Sequence, residues 1–240
     1  GETVVAEPGT YQEDLDIDTD VSLISAGSPD DTEIAVENDE NVEISTADAV
    51  VDGFTINKTA SSGSTDSTIL FSAPGTLNNS VVQDSSSGGT GIGVSTPTGE
   101  VNIEDNRINQ SDVGIAVDAT NSNDRVSVDN VTINGTNKAG IDINGVHNSA
   151  AVNVTNSTLT ENEEAVRLSN SAGDAQVNVH FNKFEENVVG VADDHGTVDA
   201  THNLTFNDFI NNTDAVVLDD DISGTVNANY SWWGSDAGPN

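Results

Sequence analysis

A pair of apolar residues five positions apart recurs along this chain at a nearly constant interval. It stands at Val51/Ile56, Leu77/Val82, Ile103/Ile108, Val128/Ile133, Val154/Leu159, Val179/Phe184, Leu204/Phe209 and Ala228/Trp233, with starts 26, 26, 25, 26, 25, 25 and 24 residues apart. A second apolar column runs through Ile92, Ile115, Ile141, Val166, Val191 and Val216, at spacings of 23, 26, 25, 25 and 25. Two columns that share one period imply a structural unit repeated along an axis.

Within one period the apolar residues alternate over short runs. Val126/Val128, Ile133 and Ile141/Ile143 are separated by Asn, Gly, Thr and Asp. Alternation of this kind marks a strand with one buried face, and no stretch carries a helical stripe. Three short strands per period define the expected fold: an all-β, right-handed, single-stranded parallel β-helix (a β-solenoid) with coils of ~25 residues and about nine to ten coils. At an inter-strand spacing of about 4.8 Å the rod is roughly 45 Å long. A β-sandwich also places a strand every 8–12 residues, but it does not make equivalent positions recur. Leucine-rich repeats need a consensus that is absent. One domain spans 1–240, with entry coils at 1–50, regular coils at 51–227 and a cap at 228–240.

Stacking turns equivalent residues into ladders. The position two after each start reads Gly53, Asn79, Asp105, Asn130, Asn156, Phe181, Phe206, Tyr230. This predicts an Asn/Asp ladder in a turn, giving way to stacked aromatics. Phe184, Phe209 and Trp233 form a second aromatic column, and the two together predict a thicker packed end to the rod. Ten N-x-[ST] sequons fit secretion. An inward ladder would bar Asn130 and Asn156 from carrying glycans and leaves Asn57, Asn109 and Asn211 as candidates.

Lys+Arg is 6 against 41 Asp+Glu, a formal net charge of −35. Such charge ordinarily opposes compaction, but the periodic apolar residues argue against disorder. The acids spread from Glu2 to Asp236, the surface style of a halophilic organism, where molar salt screens repulsion to within about 3 Å. Nucleic-acid binding is excluded for want of Lys and Arg. There is no Cys, hence neither a disulfide nor a thiolate metal site. There is no Met either, which points to a processed form or an excised domain. No apolar run reaches the about 20 residues that span a bilayer.

The opening "TVVAEPGTYQEDLDI" resembles the first coil of pectin-lyase-like β-helices. The closing "NYSWWGSDAGP" is similar to the end of secreted haloarchaeal and bacterial β-helix repeat proteins, and the "V-x-V-x-N … G-I-x-I" units between them resemble the generic parallel β-helix repeat. The resemblance implies the fold across essentially the whole chain. It implies no one activity, because that superfold hosts lyases, hydrolases, esterases, adhesins and inert scaffolds.

Its enzymes act on polysaccharides. Asp193-Asp194-His195-Gly196 echoes fragments of the polygalacturonase-like set, but its Arg-x-Lys element is missing, and the chain has only Arg107, Arg125 and Arg167. Alignment on Ile115 stacks Asp118, Asn144, Ser169, Asp194 and Asp219, with His195 beside Asp220. Carboxylates on adjacent coils either raise one pKa or hold a cation. Asp194, His195, Asp219 and Asp220 are therefore the candidates for acid/base work. Asp118, Asp194, Asp219 and Asp220 are the candidates for a site holding calcium or another cation. The ordinary reading is a solvated acidic loop, with no catalytic residue and no cofactor. Arg167 aligns with Asp142 one coil earlier as an outer-face ion pair worth at most about 1 kcal/mol. His147, His180 and His202 are expected at the surface or in turns.

The expected function is structural or adhesive, at the cell surface or outside the cell. Trp232, Trp233, Gly234 and Pro239 suggest a C-terminal cap. The "ETVVAE" edge calls for completion by another copy or a neighbouring domain, because open strand edges must be paired or covered. The alternative is a module that binds or degrades polysaccharide, using the Asp194/Asp219 column and Trp232.

Overall fold

A computed structural model describes residues 1–37, 41–59, 67–84, 88–95, 98–119, 121, 123–146, 149–169, 176–193, 201–218 and 225–234. All its strand pairings are parallel. Three sheets run the length of the rod: a first sheet of ten strands from Glu2–Ala6 to Thr225–Asn227, a second of nine from Gly9–Gln12 to Asp208–Ile210, and a third of nine from Leu15–Ile17 to Asp214–Leu218. Each sheet takes one strand per coil, so the chain is a parallel β-helix.

A central coil shows why the sequence winds this way. Arg125–Asp129 lies in the first sheet, Thr132–Asn134 in the second and Ala139–Asn144 in the third. Val126, Val128, Ile133, Ile141 and Ile143 are fully buried, while Ser127, Asp129, Thr132, Asn134 and Asp142 between them face out. The recurring apolar pairs are inward ladders: Val51, Leu77, Ile103, Val128, Val154 and Val179 stack in register along the first sheet. Each such side chain contributes about 1.5–3 kcal/mol on burial. The glycine that opens many third-sheet strands is a matter of space. A Cβ on Gly114 would lie 2.5 Å from the Gly140 carbonyl oxygen of the next coil.

The corner between the first and second sheets differs from the expected ladder. Gly53, Asn79, Asp105, Asn130, Asn156, Phe181, Phe206 and Tyr230 all have left-handed backbone, with φ between 46° and 86°. From Asn79 to Tyr230 their side chains point to solvent. The residue that follows each one turns inward instead. Here the ladder reads Ser80, Asn106, Val131, Ser157, Asn182 and Asn207. Two consecutive outward residues break the alternation, which is how two inward residues come to stand five apart.

The inward asparagines close the corners chemically. Asn182 Oδ1 accepts the Ser157 N–H at 2.9 Å, and its Nδ2 donates to the Val154 carbonyl at 2.9 Å. Asn207 serves Asn182 N–H (2.9 Å) and the Val179 carbonyl (2.8 Å) in the same way. A second ladder does this at the next corner, where Asn162, Asn187 and Asn212 accept the N–H groups of Thr136, Asn162 and Asn187 at 2.9–3.0 Å.

The core also contains polar groups. Lys58 and Asp84 are register neighbours and fully buried. Thr68 Oγ1 donates to Asp84 Oδ2 at 3.1 Å, and Lys58 Nζ donates to the Ser67 carbonyl at 3.4 Å.

Asn182→Ala strands buried donors and acceptors on two coils, each costing about 1–3 kcal/mol. It is expected to lower the midpoint of chemical denaturation clearly. Asn178→Ala, on the outer surface, is expected to change it by under about 0.5 kcal/mol. Equal effects would contradict the inward assignment.

Candidate functional site

The proposed cation column is described only in its lower part. Asp118 ends the strand Val113–Asp118 of the third sheet and is exposed, with Ser95 as its register partner one coil below. Asn144 and Ser169 pair in the coils above. Asp194, His195, Asp219 and Asp220 lie outside the described residues. Burial of its surroundings, with repulsion from Asp124 second, raises the Asp118 carboxyl above its ordinary value. A raised carboxylate contributes stability that is present at low pH and lost as pH rises through the folded value. Asp118→Asn should therefore be no less stable than the parent at neutral pH, any gain vanishing in acid, as thermal melts across pH would show.

Arg167 meets Asp142 as the sequence indicates. The guanidinium makes a bidentate pair, with Nε to Oδ1 at 3.0 Å and the terminal nitrogen to Oδ2 at 2.5 Å. It sits on the outer face of the third sheet.

The histidines need correction. His202 is not a surface residue: it is 2% exposed and stands in the aliphatic ladder between Val177 and Val226. Asp193 occupies the matching ladder of the third sheet between Leu168 and Leu218 and is also 2% exposed. His202 Nε2 and Asp193 Oδ2 are 3.7 Å apart. Asp193 and His202 therefore lie on inward ladders of the rod and not on its surface. His180 is partly buried, its Nδ1 2.9 Å from Thr205 Oγ1. Burial lowers its pKa, so it is neutral at pH 7. His147 lies outside the described residues.

Outward asparagines bear on the sequons. Asn130 and Asn156 lie in the outward, left-handed column and are exposed, so the expected bar to their glycosylation does not hold. Asn57 and Asn109 share an outward column of the second sheet with Asn134, and Asn211 occupies a left-handed corner.

The two aromatic columns part company. Phe184, Phe209 and Trp233 stack inside the rod at centroid distances of 5.0 and 4.9 Å, the packed end the sequence predicts. Phe181, Phe206 and Tyr230 stack outside it at 5.1 and 5.0 Å and are 60%, 47% and 81% exposed. Left-handed backbone at a bulky residue costs about 1–3 kcal/mol, and the lower coils avoid that with Gly, Asn and Asp. Beside this row, the outer face of the first sheet carries a second asparagine ladder. Asn178 Nδ2 donates to Asn153 Oδ1, and Asn203 Nδ2 to Asn178 Oδ1, each at 2.9 Å.

For the Asp193–His202 pair, removing one partner takes an interaction from a buried polar group, at a cost of about 1–3 kcal/mol. Asp193→Ala should destabilise on that scale. The double change Asp193→Leu with His202→Val, which continues both aliphatic columns, should recover most or all of the loss in urea denaturation.

A family model described as "Periplasmic copper-binding protein (NosD)" matches residues 17–236. No curated protein and no solved structure matches the chain. Among the described residues the copper of that description finds no fitting donor set. These 240 residues hold no Cys or Met, the soft ligands that select Cu(I). Among the described residues no group of three or more His, Cys, Asp or Glu is placed to hold a metal ion. His202 is locked in the core with Asp193, and His180 is bonded to Thr205. The match spans nearly the whole β-helix, and its periplasmic description agrees with a protein that works outside the cytoplasm: the chain belongs to the NosD family.

Proposed function

We propose that this chain is an extracellular structural and adhesive rod of a salt-adapted organism, associating end to end with further copies. The observation that carries this is the apolar mouth of the first described coil. Val4 stands in the inward ladder with Leu23 and Val51, yet it is half exposed. With Leu23, Tyr11 and Phe54 it lines a cavity of about 330 Å³. Ala215, Val216, Val226 and Trp233 line a similar cavity of about 390 Å³ at the other end of the described residues. Parallel strands edge both ends, so a second copy stacked head to tail would continue all three sheets in the same sense. Heterologous contacts of this kind build open filaments rather than closed rings.

The acidic surface sets the condition for assembly. At −35 per chain, repulsion between copies is long-ranged in dilute buffer and confined to about 3 Å in molar salt. Sedimentation velocity over a range of concentrations is expected to show monomers at low salt and end-to-end species at molar salt. Val4→Asp should abolish those species without unfolding the rod. A monodisperse monomer at high concentration in molar salt would overturn this reading.

A further inference from the structure

We propose that the outer face of the first sheet over its last three coils, with the Phe181–Phe206–Tyr230 row along its edge, binds a linear uncharged polysaccharide laid along the rod axis.

Four observations converge on this face. The first is charge. The chain has 41 acidic residues, yet the described outward residues of Gln176–His180, Thr201–Asn203 and Thr225–Asn227, with the corners that follow them, include none. The nearest acid below is Asp129, already accepting from Thr155 Oγ1 (2.6 Å) and Asn156 Nδ2 (2.7 Å). The second is hydrogen-bonding capacity. An amide offers two N–H donors and two lone pairs, and the ladder uses one of each at Asn178. The ladder leaves one donor and one lone pair of Asn178 unused, and Asn203 and Asn227 follow it in register on the next two coils.

The third observation is the aromatic row itself. It places bulky rings at φ 58°, 59° and 61°, and does so in the open. Backbone strain and solvent exposure both oppose that choice, and Asn at the same corner lower down avoids the first. The fourth is the period. Ring centroids repeat every 5.0–5.1 Å, the rise set by the inter-strand spacing of about 4.8 Å, so a polymer laid along the rod axis meets one ring per coil.

A linear glycan matches this pattern group by group. Its hydroxyls meet the outward amides, while its C–H surfaces lie against the ring edges. Charge decides which glycan. An anionic polymer would be repelled by the chain as a whole, and this face has no cation to recruit it. Lys183, across the corner, is engaged with Glu185 at 2.6 Å. Burial keeps His180 neutral. An uncharged polymer avoids both difficulties, and its binding would be indifferent to salt.

The test is retention of the protein on amorphous cellulose and on chitin, with polygalacturonate as the charged control, at two salt concentrations where the rod is folded. The parent protein is expected to be retained on at least one uncharged polymer and not on polygalacturonate, with affinities alike at both salt concentrations. The triple variant Phe181→Asn, Phe206→Asn, Tyr230→Asn should lose at least tenfold in affinity. Its melting temperature should be unchanged or higher, because Asn suits the left-handed backbone. Asp118→Asn should bind as the parent does. Failure of the parent to bind either uncharged polymer would overturn the proposal. So would unchanged binding by the triple variant, or a loss of binding matched by a fall in melting temperature, which would make the row purely structural. Concentration-dependent self-association abolished by the triple variant would instead assign the face to a second copy. That last outcome would also count against end-to-end stacking; the binding outcomes do not bear on it, and Val4→Asp tests it separately.

Discussion

Everything in this rod depends on how its corners dispose of buried backbone amides. A strand in mid-sheet finds partners above and below, but at a corner the chain turns away and its N–H points into the interior. An unpaired group there costs about 1–3 kcal/mol, and the rod has two corners of this kind per coil. In the upper coils, asparagine reaching down from the coil above meets the need. Its carbonyl oxygen takes the corner N–H, and its amide nitrogen serves a carbonyl at the end of the preceding strand, as Asn182 does for Ser157 and Val154. Where Asn is replaced by Ser, the hydroxyl takes over: Ser157 Oγ accepts the Val131 N–H at 3.1 Å. Coil-to-coil registry is thus enforced by bonds that only correct stacking can make.

That same corner is where the chain gains freedom at its surface. An inward Asn must be preceded by a residue on left-handed backbone whose side chain is thrown outward. The first residue is fixed by hydrogen bonding and the second only by what tolerates positive φ. In the lower coils it is filled by Gly, Asn or Asp, the residues best suited to that backbone. Above Asn156 it is filled by Phe, Phe and Tyr. Stacking between neighbouring rings returns about 0.5–1.5 kcal/mol per pair. That is on the order of the strain and no more, so stacking alone leaves the exposure of three rings unaccounted for.

The period, the three strands per coil and the membership of the inward apolar ladders were all legible in the sequence, because burial selects one residue class at fixed spacing. The direction of the corner column was not. Asn79-Ser80, Asp105-Asn106 and Asn156-Ser157 are polar on both sides of the turn, so residue type does not say which faces in. Parity does: two inward residues five apart cannot lie on one alternating run, and the extra outward residue must fall between them. The Asp193–His202 pair was hidden for a different reason. Asp193 adjoins Asp194, and His202 sits among Asn and Thr, so both looked like loop residues until register placed them in line with Leu168 and Val177. Of the acidic candidates only Asp118 falls within the described residues, and its exposure follows from its place at the end of a third-sheet strand.

In the molar salt we propose for this rod, the outward columns divide according to what salt does to each kind of contact. Charges screened within about 3 Å hold water, but they neither keep copies apart nor recognise a partner at any distance. Apolar burial and short hydrogen bonds keep their strength. A surface meant to bind under such conditions gains by discarding carboxylates and presenting amides and rings. This is the composition of the first-sheet face from Gln176 to Tyr230, while acids such as Glu33, Glu43 and Glu104 occupy outward positions on lower coils. The inward half of every coil is committed to holding the rod together. What distinguishes one stretch of the rod from another is written on its outer columns.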